Sequence, residues 1–415
     1  MSAAITQERI TMTQHEFIQF LTDLPEEKMK VELTKAFTER YGASEEEIMV
    51  ITSPARINII GEHIDYNGGK VFPAAIDRYL YVLLRKRSDT AIIYDDIRFP
   101  GALEFSSTET FRYRKENQYA NYLNGMLAMM QKDGYTLTSG FDVLFFSKLP
   151  AGGGISSSAA LEIGFGRAVN ELFGFQIDAV TLAKMGQESE HSFMNVQCGI
   201  MDQFSIAMGK KECAMLLDTA TLDYEYVPLV LGDYRIVVMN TNKQRLLADS
   251  KYNERRAECM EGLEILKKIK PIHNLCELRS SDLSTAEAAL SDERIFKRVR
   301  HCITENERVL AAVAALKAGN LAQLGELLKA SHTSLQCDYE VTGLELDTLA
   351  GAANAEPSCL GARMTGAGFG GCAIALVQKD AVSEFTARVG KAYTEKTGLE
   401  ASFFACKAGD GAHRV

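Results

Sequence analysis

Between residues 14 and 41, the apolar side chains Phe17, Phe20, Leu21, Leu24, Val31, Leu33 and Phe37 recur at three- and four-residue intervals through otherwise polar sequence. That spacing predicts helix, and Gly42 is placed to stop it. Past Gly42 the period shortens. Runs at Ile48 to Thr52, Ile57 to Ile60, Val71 to Ile76, Leu80 to Leu84 and Ala91 to Tyr94 read as strands, with Asn67-Gly68-Gly69 as a hairpin-turn signal among them. An extended segment from Phe141 to Leu149 leads into helices after Ser156, over Ala179 to Met194 and over Ile200 to Met208. Strands at Ala214 to Leu217 and Arg235 to Asn240 precede a helix-rich stretch from about Asp249 to Ala353. The last unit reads strand (Ala362 to Met364), glycine loop, strand (Cys372 to Val377), helix (Ala381 to Thr397) and strand (Ala401 to Ala405). This is an α+β pattern with a mixed first half and a later half closing on a small sheet. At 415 residues the chain exceeds most single cores, which predicts two lobes or one large one.

Composition narrows the partners. A net charge of −10 argues against a nucleic-acid or anionic-membrane surface, where clustered Lys and Arg are expected. Met1 to Thr13 has no apolar h-region, and no apolar run approaches the ~18 residues of a membrane span. The expectation is a cytoplasmic protein with neither nucleic acid nor membrane as partner. The nine cysteines are scattered without a C-x-x-C pair, and the seven histidines without H-E-x-x-H spacing. Neither a disulfide framework nor a transition-metal site is indicated, while a magnesium ion carried by a substrate stays open.

Candidate chemistry lies at four places. Residues 150 to 161, Pro-Ala-Gly-Gly-Gly-Ile-Ser-Ser-Ser-Ala-Ala-Leu, stand where strand gives way to helix. Gly152, Gly153 and Gly154 let backbone N–H groups converge on an anion at a helix N-terminus, with serine hydroxyls beside them. No Lys follows the last glycine, so this is not a Walker loop, and Gly/Ser linkers before helices look similar. Arg56 to Asn67 crowds Glu62, His63 and Asp65 into a possible hydroxyl-binding pocket, though a solvated hairpin tip reads alike. Asp202 is an acid in an apolar stretch, a catalytic candidate that also reads as a helix cap. Gly366, Gly368 and Gly371 have G-x-G-x-x-G spacing, but strand rather than helix follows, so a dinucleotide fold is refused.

In combination, Pro54 to Asn67, Leu149 to Leu161, Glu190-His-Ser-Phe with Cys198-Gly-Ile-Met-Asp-Gln-Phe204, and Gly361 to Cys372 resemble the galactokinases of the GHMP small-molecule kinase superfamily. Tyr252-Asn-Glu-Arg-Arg-Ala-Glu-Cys259 adds to the likeness, which runs from residue 14 to the C-terminus. The resemblance implies a two-lobed α+β fold, with an N-terminal lobe of the ribosomal-protein-S5-domain-2-like kind over 1–213 and a ferredoxin-like lobe over 214–415. The first lobe would open with a helical galactokinase segment at about 14–67, and the active site would lie in the cleft between lobes. It implies ATP- and magnesium-dependent phosphorylation of the C1 hydroxyl of α-D-galactose, the first phosphorylation step of galactose catabolism. By residue matching, Asp202 would be base or electrostatic partner of that hydroxyl, with Arg56 beside it. Glu62, His63, Asp65, Gly199 and Tyr252 would bind the sugar, Asp65 and Tyr252 on its O4 side. Gly152, Gly153, Gly154, Ile155, Ser156, Ser157 and Ser158 would cradle ATP, Ser158 and Glu190 would hold magnesium, and Gly366 and Gly368 would line the reacting end. The implied partners are D-galactose and MgATP, with the chain a monomer or weak homo-oligomer. Ile64 stands where the galactokinases commonly have Thr and N-acetylgalactosamine kinases have Ile, so an N-acetylgalactosamine or other sugar 1-kinase is the alternative. A non-catalytic sugar and ATP sensor is opposed by Ser158-Ala159, a pair such paralogues lack.

Overall fold

The N-terminal helical stretch is two helices. In the computed structural model, which describes residues 12–149, 154–243 and 248–415, α1 (Gln14–Asp23) and α2 (Glu26–Tyr41) part at Pro25. Leu24 is extended there, as a residue before proline prefers, and Pro25 brings no N–H to continue the helix. Thr13 caps α1 and Glu16 reaches back to the Thr13 N–H.

β1 (Met49–Asn58) runs unbroken from the strand expected at 48–52 into the one expected at 57–60, ending at Asn58. Its Pro54 faces a bulge of β3 (Pro73–Lys86), where Tyr79 pairs with Pro54 and Ile76 with Ala55, leaving Asp77 and Arg78 as the extra residues. β3 likewise joins the segments expected at 71–76 and 80–84, after the short β2 (Lys70–Val71). The Asn67-Gly68-Gly69 signal makes no tight hairpin. A 3₁₀ turn at Asp65–Asn67 and a left-handed Gly68 sit inside a longer connection, residues 59–72, between the antiparallel partners β1 and β3. That extra length carries Glu62, His63 and Asp65.

β4 (Ala91–Asp96), β5 (Leu103–Ser106), α3 (Ala120–Lys132) and β6 (Phe141–Ser147) follow. α3 escapes a periodicity reading because its buried face includes Asn121, Asn124 and Gly125. The first sheet has the order β13-β1-β3-β6-β4-β5, where β13 is His413–Arg414. Both of its faces are buried, and the strand pleat shows how. Val50, Tyr81, Leu83, Leu144 and Phe146 pack with Leu21, Met29, Leu33 and Phe37 of the N-terminal helices. Their neighbours Ile51, Val82, Leu84, Val143 and Phe145 point the other way, into the main core. On that side lie α4 (Ser157–Phe173), α5 (Ala179–Glu188) and α6 (Met201–Met208). α5 ends in a π-helical turn, Ser189–Phe193, inside the helix expected to reach Met194.

β7 (Cys213–Asp218) and β8 (Tyr224–Pro228) form a small sheet with β2. β9 (Tyr234–Asn240), β10 (Cys359–Thr365), β11 (Cys372–Gln378) and β12 (Ser402–Cys406) make the second main sheet, in the order β10-β11-β9-β12 and wholly antiparallel. The helix-rich stretch is α7 (Ala248–Leu266), α8 (Leu283–Ala289), α9 (Glu293–Lys317), α10 (Leu321–Ser334) and α11 (Gly343–Asn354), with α12 (Val382–Thr397) after β11. The expected lobe boundary at 213/214 falls on the first residues of β7, which pairs back to β2, and β13 covers the edge of β1. Lobe membership therefore does not follow a single cut, because the edge of the first sheet is closed by the C-terminal residues. One contiguous buried cluster, from Met49 to Ala412, spans both sheets. None of the described helices is long and apolar enough to cross a membrane.

Candidate active site

The connection 59–72, the start of α4, the residues before α6, α7 and the loop after β10 meet around a cavity of about 330 Å³. Of the residues singled out in the sequence, Arg56, Glu62, His63, Asp65, Gly154, Ser156, Ser157, Ser158, Glu190, Gly199, Asp202, Tyr252 and Gly366 line it. Gly152 and Gly153 lie outside the described residues. Ile155 does not face the cavity: its side chain is wholly buried in the core, and its carbonyl accepts the Arg56 backbone N–H at 3.2 Å. Gly368 is also displaced from the expected place. It packs against the Val341 carbonyl, where a Cβ would collide, and Ala367 lines the cavity instead.

At the centre, Arg56 presents a fork to Asp202, Nε to Oδ1 and the second guanidinium nitrogen to Oδ2, both at 2.7 Å. Its remaining nitrogen donates to the Gly154 carbonyl at 2.9 Å. The guanidinium is 3% exposed at the end of β1, so this pair is enclosed on the arginine side. Ser156, expected to cradle phosphate, donates its hydroxyl to Asp202 Oδ2. Ser156 is left-handed (φ 61°) and offers α4 no side-chain cap, so the first-turn N–H groups of α4 face the loop without one.

Glu62 lines the cavity from within a dense hydrogen-bond network. Buried to 1% exposure, it accepts from Asn58 Nδ2 at 2.7 Å, Gly366 N at 2.8 Å, Thr365 Oγ1 at 3.2 Å and the Arg363 guanidinium. Burial pushes its carboxyl up, opposed chiefly by Arg363. The network ties the connection 59–72 to β10, more than 300 residues later. His63 also has both ring nitrogens engaged, Nδ1 with Tyr66 Oη at 2.8 Å and Nε2 with the Ala367 carbonyl at 3.2 Å.

Asp65 forms another wall. Its carboxyl accepts from the backbone N–H groups of Met201 and Tyr66, yet burial and then the charge of Asp202 push its pKa up to about 7. Gly199 is required beside it, since a Cβ there would overlap the Asp65 carboxylate. Tyr252 leans over this side with its ring centroid 5.4 Å from both His63 and Tyr66.

Several residues escaped the sequence reading. Tyr122, Val196, Cys198 and Met201 complete the lining; Tyr122 and Val196 lie in no quoted motif, and Cys198 and Met201 lie in one without a role of their own. Arg363 hid inside an apolar strand. Glu162 is one helical turn behind Ser158 on α4 and fully buried, its carboxyl pushed well up by burial and then by Glu190. The four-residue spacing from Ser158 was its only signal. Among the described residues no three His, Cys, Asp or Glu side chains converge as a metal cage. Ser158 and Glu190 share the cavity as two oxygen donors, a set that fits magnesium completed by substrate phosphates rather than a protein-only site.

Comparison with known proteins points one way. Residues 35–86 match the galactokinase galactose-binding signature, 121–210 the GHMP kinases N-terminal domain and 312–395 the GHMP kinases C-terminal family. The chain is 44% identical over 385 residues to a galactokinase of Clostridium beijerinckii, covering 92% of this chain and 98% of that one. It superposes on the crystal structure of Lactococcus lactis galactokinase complexed with galactose with a TM-score of 0.90 at 45% identity, covering 93% of this chain and all of that one. Methanococcus jannaschii mevalonate kinase shares the fold at 19% identity, with a TM-score of 0.63 over 88% of this chain and all of that one.

Proposed function

The chain belongs to the galactokinase family of GHMP kinases, and from that membership we propose that it transfers the γ-phosphoryl group of ATP to the C1 hydroxyl of α-D-galactose. The products are galactose 1-phosphate and ADP. The observation that carries the reading is the Asp202 carboxylate, held by the Arg56 fork and Ser156 where the Glu62-to-Asp65 connection meets the start of α4.

A carboxylate has about four acceptor sites, and here three donors occupy three of them. The capacity that remains suits one further donor, the reacting sugar hydroxyl. Two of the three donors sit on the one guanidinium, so the carboxylate is held in a fixed orientation toward the cavity. Asp202 on this reading orients the hydroxyl and takes its proton late, once the phosphoryl group has begun to transfer. Arg56, beside the Gly154 carbonyl, places positive charge where the transferring oxygens gather it. The uncapped first turn of α4 and Ser157 and Ser158 face the same space and would receive ATP phosphates. Ser158 and Glu190 would hold magnesium, whose charge would offset that of the phosphates.

Asp65, Gly199 and Tyr252 supply the wall proposed to read the sugar at C4. The departure at Ile64 does not speak for an N-acetylated substrate. Ile64 is wholly buried in the core, against Gly69, and does not line the cavity. The cytoplasmic setting rests on composition, and the monomeric or weakly associating state on the family resemblance.

The test is ADP release by the purified protein with magnesium and ATP, comparing D-galactose, N-acetylgalactosamine, D-glucose and no sugar. Release with galactose well above the other three is expected. Release confined to the N-acetylated sugar would overturn the substrate, and none with any sugar would overturn the kinase.

A further inference from the structure

His63 reaches out of the sugar site in two directions, and the protons along its hydrogen bonds can be counted. The Ala367 carbonyl only accepts, so His63 Nε2 carries the ring proton. Burial, and then nearby His301, push the imidazole pKa down to about 3, so the ring is neutral and Nδ1 is an acceptor. Tyr66 is therefore the donor across the 2.8 Å contact to Nδ1. With its one proton used, Tyr66 accepts from Tyr339 at 2.9 Å. Tyr339, in turn, accepts from the Cys259 thiol at 3.0 Å. The first link sets the direction of the whole chain.

We propose that Tyr66 and Tyr339 are positioning residues that lock His63 as a tether between the sugar-binding connection and the glycine loop, so that the placement of Gly366 and Ala367 depends on two hydroxyls outside the substrate contacts. The activity arm rests on the galactokinase reading above; the tautomer of His63 does not.

Three observations support the tether. Tyr339 is fully buried and ends a π-helical turn, Leu335–Tyr339, a form of helix enriched at functional sites. Its carbonyl accepts from Arg255 Nε at 2.8 Å and the Asp338 carbonyl accepts from Arg298 at 2.6 Å, so the turn is clamped from α7 and α9. Arg255 is one helical turn from the cavity residue Tyr252. Second, Val341 grips the glycine loop directly, accepting the Phe369 N–H at 2.7 Å and packing on Gly368. Third, Gly366 lies so close to the Gly154 carbonyl that a Cβ would not fit, so a shift of the glycine loop is transmitted to the phosphate side. His63 itself sits at φ 63°, a conformation that needs outside support.

The experiment uses the full chain with Tyr66→Phe and Tyr339→Phe, each keeping its ring. Nitrogen-15 NMR of the imidazoles, with His63 assigned by a His63→Gln variant, should show an Nε2-protonated ring in the wild type. Tyr66→Phe should leave Nδ1 without its donor, shift the His63 nitrogen resonances and lower kcat roughly 10- to 100-fold, the range of a misplaced reacting group. Tyr339→Phe should do the same more weakly, about 3- to 10-fold, while the Kd for D-galactose in both stays within about threefold. A wild-type ring protonated on Nδ1, or an unchanged kcat in Tyr66→Phe, overturns the proposal. So does a variant that loses only melting temperature, since a purely structural hydroxyl would leave the His63 resonances and kcat alone. Wild-type protein inactive with galactose would overturn the kinase reading instead, and the tautomer would still decide the tether.

Discussion

The two ends of the cavity are built on opposite plans. At the sugar end the polar side chains are almost entirely enclosed: Arg56, Glu62 and His63 are 3%, 1% and 4% exposed, and each is bound to named partners from distant sequence. At the phosphate end, Gly154, Ser157 and Ser158 are only partly buried, and α4 begins without a side-chain cap. One end pays for its shape during folding through buried charge and hydrogen bonds. The other leaves backbone N–H groups open for an anion that arrives with the substrate. The difference teaches that sugar shape is set in advance, whereas phosphate binding leans on what the ligand brings.

Asp202 joins the two ends, so its substitution should break both. Asp202→Asn keeps the size but removes the charge that faces Arg56 and Ser156. Turnover should fall by roughly 10² to 10⁴, the scale of one lost proton-transfer or charge-stabilising group, with the chain still folded although its melting temperature falls because the buried Arg56 loses its charged partner. Steady-state kinetics beside a thermal melt checks this, and near-normal kcat would remove Asp202 from the mechanism.

The enclosed end predicts a folding effect of its own. Glu62→Gln leaves Arg363, which is 0% exposed, facing an amide instead of a carboxylate. Glu305 compensates only from 4.0 Å. The loss should be about 3 kcal/mol, near the lower end for a broken buried pair, read by urea unfolding. A loss no larger than that of an exposed ion pair would show that the sugar end is not held by this network.

Much of this contrast was legible in the sequence, and the illegible part has a physical cause. The density of Arg56, Glu62, His63 and Asp65 marked the sugar side, and the glycine and serine run marked the phosphate side, because both lie within single stretches of chain. What each carboxylate does was hidden. Glu62 and His63 line the cavity, but nothing near them in the sequence shows that Arg363, Gly366 and Ala367 arrive from the other end of the chain to hold them. Ser156 looks like a phosphate ligand until its hydroxyl is found on Asp202. In the fold, strand positions were found by their apolar runs, but the joining of 48–52 with 57–60 was not, since Pro54 reads as a break and a bulge accommodates it.

Gly199 tests how tightly the sugar end is shaped. Gly199→Ala puts a methyl group into the space of the Asp65 carboxylate and must displace one of the two. The Kd for D-galactose should rise roughly 10-fold, about 1.4 kcal/mol, with kcat affected less because neither group touches the reacting atoms. Calorimetry with galactose gives the answer. An unchanged Kd would mean that the Asp65 wall does not read the sugar.

The smallest expected effect is a pH dependence belonging to Asp65, and its sign follows from the raised pKa. Folding moves this carboxyl from near 3.8 to about 7, so between those values the folded chain holds a proton that the unfolded chain has released. Its contribution to stability is therefore greatest below about pH 4, declines as pH rises, and levels off above about pH 7. Between pH 6 and 8 the decline should amount to about 1 kcal/mol, seen as a lower melting temperature that Asp65→Asn does not show. Galactose sharpens the test. If a sugar hydroxyl donates to Asp65, binding favours the ionised carboxylate, so saturating galactose should stabilise the wild type more at pH 8 than at pH 6. Equal stabilisation at both values, with the same slope in Asp65→Asn, would place this titration elsewhere and leave the enclosed end of the cavity indifferent to proton uptake.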